Sequence, residues 1–302
     1  MTMADDTALA PPLDLVPRRS VLYMPGANER ALEKARDLPA DCLILDLEDA
    51  VAPDAKEQAR ARVCAAAASG DYGHREVTIR ANGIGTRWHD EDLAAIATSG
   101  ADAVVIPKVD TAADVRQVVA RLEASGAPDD LQVWAMIETP TAILHAHEIA
   151  TASDRLTAFV LGTNDLVKEL QAEFVPGRQP LLHALSQAVL AGRAAGIVVL
   201  DGVFNDLDDA DGFEAECRQG RELGMDGKTL IHPRQLEPCN RVFAPDDDAV
   251  AAAREVIEAF EQATAEGRGV ATVRGRLIEN LHVEQARRTV AQHDAIAARS
   301  GG

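Results

Sequence analysis

Seven of eight short apolar runs in this chain give way to side chains that can do chemistry. CLILD (42–46) runs into Glu48 and Asp49, so three carboxylates, Asp46 included, fall within four positions. VTIR (77–80) ends on Arg80, followed by Asn82 and Gly83, and AVVIP (103–107) is followed by Lys108. VWAMI (133–137) is followed by Glu138, and AFVLG (158–162) by Asp165 in GTND. IVVLD (197–201) ends on Asp201 with Asn205 beyond it, and GKTLI (227–231) is followed by His232. Carboxylates placed straight after buried runs need a positive partner. Oxygen donors without a His-x-x-x-His or a cysteine cluster suit a hard cation such as Mg2+, which takes one or two carboxylates and completes its octahedron with water and substrate oxygens. Mn2+ would satisfy the same donors. Glu138 and Asp165 end adjacent strands and are the expected ligands. Glu48 and Asp49 are then acceptors for metal-bound water or partners of Lys108. Arg80 has the planar fork that grips a carboxylate through two bonds. A divalent cation, an arginine and carboxylates together suit chemistry through an enolate. His145, His147 and His183 fall in helical stretches and read as structural or exposed.

The elements that must hold these groups follow from periodicity. The first run, SVLYM (20–24), completes a set of eight, and the segments between runs are helical. EDLAAIATSGA, AADVRQVVARLEASGA and LLHALSQAVLAGRAAGI carry apolar residues at i, i+3, i+4 and i+7 and close on glycine. Apolar strands that do not alternate with polar residues suit a parallel sheet covered on both sides. Eight such units predict an α/β fold, a (β/α)8 TIM barrel over residues 18–240, whose loops after the strands form one mouth. No G-x-G-x-x-G follows the first strand, which disfavours an open doubly wound sheet. Residues 1–17 read as a flexible, proline-containing N-terminal arm. Residues 241–302 read as a C-terminal helical and hairpin extension, a lid or subunit contact: a helix over 246–264 opening at an aspartate cluster, a turn or hairpin in GRGVATVRGRLIEN, and a last helix.

Composition narrows the function classes. Lys plus Arg number 30 against 49 Asp plus Glu, a formal charge of −19, which excludes a duplex or an anionic membrane as the main partner. No run reaches the length of a membrane span, and the acidic N-terminus MTMADDTALAPPLDLVP has no secretory core. Four cysteines without a C-x-x-C read as reduced thiols in a cytoplasmic protein.

Taken together, RRSVLYMPGANERALEKA, LDLEDAV, IRANG, IPKV, MIET, LGTNDL and GKTLIHPRQL resemble the citrate lyase β-subunit and malyl-CoA lyase family of aldolases, in order from about residue 18 to residue 292. The resemblance implies a (β/α)8 barrel in a homotrimer or hexamer. It also implies a Mg2+ cofactor and a small-molecule substrate, the CoA thioester of a short hydroxy diacid. It assigns Glu138 and Asp165 to the metal, Arg80 to the oxoacid carboxylate, and Glu48 and Asp49 to positions near the metal waters. Arg19 matches, more loosely, a basic residue facing CoA. In the family an aspartate near the start of the last helix, from the neighbouring subunit, acts as acid or base. Here GRLIENLHVEQA places Glu279 at that position, one methylene longer and still titratable. With DGVFN and GTNDLVKEL, this segment is most similar to the bacterial (3S)-malyl-CoA thioesterases of the family. The expected activity is therefore hydrolysis of (3S)-malyl-CoA to malate and CoA. The alternatives are carbon–carbon cleavage of malyl-CoA or citramalyl-CoA to acetyl-CoA and glyoxylate or pyruvate, and a citrate lyase β-subunit acting on a carrier-bound citryl thioester.

Overall fold

The computed structural model describes residues 15–300; most of the predicted N-terminal arm lies outside them. Arg18–Phe243 form one compact unit, and the described residues from Ala244 onward belong to another.

The first unit is a closed barrel of eight parallel strands in sequence order, with β1 (Ser20–Pro25) hydrogen-bonded to β8 (Gly227–Leu230). Between them run β2 (Cys42–Asp46), β3 (Glu76–Arg80), β4 (Ala103–Ile106), β5 (Gln132–Ile137), β6 (Leu156–Leu161) and β7 (Val198–Asp201). The helices are α1 (Glu29–Ala35), α2 (Lys56–Ala68), α3 (His89–Ile96), α4 (Ala112–Ala124), α5 (Pro140–Leu144), α6 (Ala146–Ala150), α7 (Thr163–Glu169), α8 (Leu182–Ala195), α9 (Ala210–Glu222) and α10 (Leu236–Phe243). The expected TIM barrel is thus the observed fold, with strand boundaries within two residues of the apolar runs.

Alternation along the strands divides the core in two. Val21, Cys42, Ile44, Ala103, Val105, Trp134, Met136, Ala158, Val160 and Leu200 pack together inside the sheet. Their neighbours Leu22, Leu43, Leu45, Val104, Ile106, Val133, Ala135 and Phe159 pack outward with the helices. Two ion pairs stand at the N-terminal end of the barrel. Arg18 bonds both oxygens of Glu76 at 2.6 Å and lies over the Trp134 ring, and Arg19 grips Asp41 through both of its oxygens. Helix α4 starts in a capping box between Thr111 and Asp114, and α8 ends at Gly196 with φ +73°. All four cysteines are free thiols; Cys42, Cys217 and Cys239 are buried.

The second unit holds α11 (Asp247–Ala265), the antiparallel pair β9 (Ala271–Val273) and β10 (Arg276–Ile278), and α12 (Asn280–Ser300). Arg274 and Gly275, with φ of +48° and +76°, make the two-residue turn between the strands. Ala263, Ala271, Val273, Ile278 and Val283 form its small core.

Candidate functional site

The parity that places Val21, Ile44, Met136 and Val160 inside the barrel carries on to its C-terminal rim. It brings Tyr23, Asp46, Arg80, Glu138 and Gly162 to the same interior face. With Asp49, Thr163, Asn164, Asp165, Asn205 and Thr229 they line a cavity of about 330 Å³.

Asp46 and Arg80 are Cα partners in the β2–β3 register. The guanidinium donates from Nε and Nη2 to the two oxygens of Asp46, both at 2.7 Å. Nη1 meets Glu48 at 2.8 Å and the more distant Asp49 at 3.4 Å. The Tyr23 ring lies beneath it, 4.9 Å from ring centre to Cζ, and burial pushes the Tyr23 phenol upward. Asp46 also shapes the following turn by accepting the N–H groups of Glu48 and Ala50. Lys56 supports that turn by donating to the carbonyls of Leu47 and Glu48. The cation facing the acidic LEDAV loop within this chain is therefore Arg80. Lys108 adds a longer contact, Nζ to Glu48 at 3.5 Å. Burial pushes the Glu48 carboxyl upward against the pull of Arg80. The carboxylates of Glu48, Glu138 and Asp165 raise Lys108, burial opposing them.

Glu138 is 2% exposed and accepts the backbone N–H of Lys108 on Oε1 at 2.7 Å. Burial lifts its pKa to about 7; the Lys108 N–H opposes the rise, and Asp165 and Glu48 add to it. Asp165 stands in the first turn of α7, on the same cavity wall. Among the described residues no cluster of three or more His, Cys, Asp or Glu side chains is placed to enclose a metal. Two carboxylates open to a cavity fit an ion that keeps several positions for water and substrate, as Mg2+ does, and do not fit a closed structural site.

The structure brings Arg80, Glu138, Asp165 and Asp49 to one cavity, with Glu48 and Lys108 beside them. It does not bring Arg19 there. Arg19 precedes β1, at the opposite end of the barrel from the mouth, and its guanidinium is taken by Asp41. Asp201 is one position out of the interior register of Leu200. It faces Gly220 of α9 and pairs with Arg178 at 2.6 Å and with the fully buried Lys228 of β8 at 3.1 Å, the latter also meeting Glu216 of α9 at 2.6 Å. His232 accepts the Arg234 N–H and caps a short turn. Glu279 belongs to the second unit, exposed between β10 and α12, its backbone N–H donated to His282 Nδ1. Sequence reasoning passed over Tyr23, Met136, Thr163, Asn164 and Thr229. Strand parity could have found Tyr23 and Met136, each two residues beyond or between assigned interior positions.

Comparison with known proteins shows the relatives of this chain. A family model described as HpcH/HpaI aldolase/citrate lyase matches residues 19–233. A (3S)-malyl-CoA thioesterase of Cereibacter sphaeroides is 50% identical over 282 residues, 93% of this chain and 96% of the relative. An L-malyl-CoA/beta-methylmalyl-CoA lyase of the same species is 38% identical over 314 residues, 96% and 99% of the two chains. The crystal structure of the protein CitE from Mycobacterium tuberculosis in complex with magnesium, acetoacetate and coenzyme A superposes with a TM-score of 0.72. It is 27% identical, over 94% of this chain and 98% of that one.

Proposed function

This chain belongs to the HpcH/HpaI aldolase/citrate lyase family, and from that premise we propose that it is a Mg2+-dependent hydrolase of (3S)-malyl-CoA, releasing malate and CoA. The observation that carries the reading is a cavity at the barrel mouth, where the buried Arg80 guanidinium and the carboxylates of Glu138 and Asp165 face a space fit for a short diacid head group. Identity of 50% to a thioesterase, against 38% to a lyase, favours hydrolysis over carbon–carbon cleavage.

Glu138 and Asp165 would hold the ion, which when bound supplies positive charge to the substrate oxygens. Arg80 binds the malyl carboxylate. Asp46 occupies its Nε and Nη2 edge, so Nη1 is the group offered, the half-free contact with exposed Asp49 giving way to substrate. Asp46 and Glu48 keep the fork oriented, and Lys108 draws in the anionic head group at the rim. Water then adds to the thioester carbonyl carbon, the C–S bond breaks, and the sulfur leaves as the thiol of CoA with the proton that water gives up. Glu279 accepts and returns that proton. By the family pattern it serves the barrel of a neighbouring copy in a homotrimer or hexamer. Among the described residues no helix is long and apolar enough to cross a membrane, and we place the enzyme in the cytoplasm, where its free thiols stay reduced.

A product assay with (S)-malyl-CoA and Mg2+, with and without EDTA, tests the reading. The expected result is EDTA-sensitive release of free thiol without glyoxylate. Glyoxylate without thiol would make the chain a lyase using the same Arg80, Glu138 and Asp165. Neither product would turn attention to citramalyl-CoA, and then to a citryl thioester on a carrier protein.

A further inference from the structure

Glu138 is held from both sides by backbone features that the surrounding fold does not itself demand. On one side stands Lys108, directly beyond β4. Its φ is +53°, in the left-handed region that a side chain enters only against steric resistance. Glycine would be the easier residue there, yet the chain keeps a lysine. With the backbone so turned, the Lys108 N–H meets Glu138 Oε1 at 2.7 Å, while the ammonium of the same residue goes elsewhere, to Glu48 at 3.5 Å. On the other side stands Gly162, at the end of β6. Its φ of −92° is open to any residue, so conformation is not why it is glycine. Space is the reason: a Cβ there would lie 2.2 Å from Glu138 Oε2 and 2.4 Å from Glu138 Cβ.

The chemistry of these two contacts is complementary. A neutral N–H fixes one carboxylate oxygen without cancelling the charge that a cation needs, as a salt bridge with Lys108 Nζ would do. The missing Cβ leaves the second oxygen beside Gly162, itself a wall of the cavity. We infer that the left-handed backbone of Lys108 and the bare Cα of Gly162 are positioning residues that set the Glu138 carboxylate for a divalent cation, the N–H holding Oε1 and the glycine keeping Oε2 open. This rests on the reading above that Glu138 and Asp165 are the ligands.

The test is Mn2+ binding to the full-length protein without substrate, followed by electron paramagnetic resonance, with thermal unfolding run on every variant. K108G and K108V both lack the ammonium; glycine can keep the left-handed conformation, and β-branched valine resists it. K108G is expected to bind Mn2+ close to wild type, and K108V about ten- to hundredfold more weakly, the range typical of a lost partner to a metal ligand. G162A should weaken binding to a similar degree. K108V matching K108G would overturn the role of the Lys108 backbone, and a folded G162A binding as wild type would overturn that of Gly162. If G162A does not fold, the lysine pair still decides. E138Q and D165N serve as controls for the premise: wild-type affinity in both would remove the cation site itself, an outcome distinct from failure of the positioning alone.

Discussion

Arg80 meets three carboxylates, and their unequal burial decides what a substitution there will do. Asp46 is 2% exposed and Asp49 70%, so the first contact is structural and the last can be exchanged for substrate. Arg80→Ala would strand Asp46 as a buried, unpaired charge and confuse stability with catalysis. Arg80→Lys keeps the charge and loses the fork. It should fold and lose about 1.5–3 kcal/mol of transition-state binding, roughly ten- to hundredfold in kcat/KM. Steady-state kinetics on malyl-CoA checks this, and an unchanged kcat/KM would place the carboxylate clamp elsewhere. Glu138 makes a second claim at this scale. Its folded pKa of about 7 lies above the ordinary 4.5, so the proton it binds favours the folded apo protein. That contribution is whole below about pH 4.5 and is lost as pH rises through about 7. A cation must displace the same proton. Apparent Mg2+ affinity should therefore climb by about tenfold per pH unit between roughly pH 5 and 7, then level off. Calorimetric titration at several pH values reads this directly, and a flat profile would take Glu138 out of the cation site.

At the scale of the strands, one rule sorts the residues that follow them: positions two apart share a face. Asp46, Arg80 and Glu138 continue the interior series and reach the mouth, whereas Asp201 falls one step out and turns toward α9. The eight runs, their order and the polar groups at their ends were legible because burial and the period of 3.6 write themselves into the sequence. The facing of Asp201 was legible too, had parity been applied to Leu200 beside it. Thr163 and Asn164 were not, because a loop has no period and its path is set by neighbours far apart in sequence. Arg19 misled for a related reason: the motif RRS fixes a place in the chain, but the residue precedes its strand and therefore belongs to the far end of the barrel. Asp201 gives a test of the sorting. Asp201→Ala leaves Lys228 and Arg178 short of a buried counter-charge and should cost about 3–5 kcal/mol of stability, visible as a lower urea midpoint. Below the transition kcat should stay near wild type. A variant as stable as wild type but inactive would reverse the assignment and return Asp201 to the mouth.

For the whole molecule the question is how the two compact units divide the work. The barrel carries the guanidinium and both proposed ligands, and the extension carries Glu279, exposed, its backbone N–H donated to His282 Nδ1 and its carbonyl accepting the N–H groups of His282 and Val283. If Glu279 moves the proton, Glu279→Gln should lower kcat by about a hundredfold or more while leaving Mg2+ affinity unchanged, since no ligand of the ion is altered. Asp165→Asn should lose both. Whether Glu279 serves its own barrel or that of another copy then follows from mixing the two inactive variants. Each Glu279→Gln chain has an intact barrel, and each Asp165→Asn chain an intact Glu279. If the proton carrier comes from a neighbour in a closed ring, a random equal mixture brings an intact barrel and an intact Glu279 together at about one site in four. Activity should then recover to about a quarter of wild type after co-refolding. If each chain serves itself, no site in the mixture is complete and the mixture stays dead. Light scattering on the same samples supplies the oligomer size: a trimer or hexamer accompanies recovery, and a monomer would exclude it.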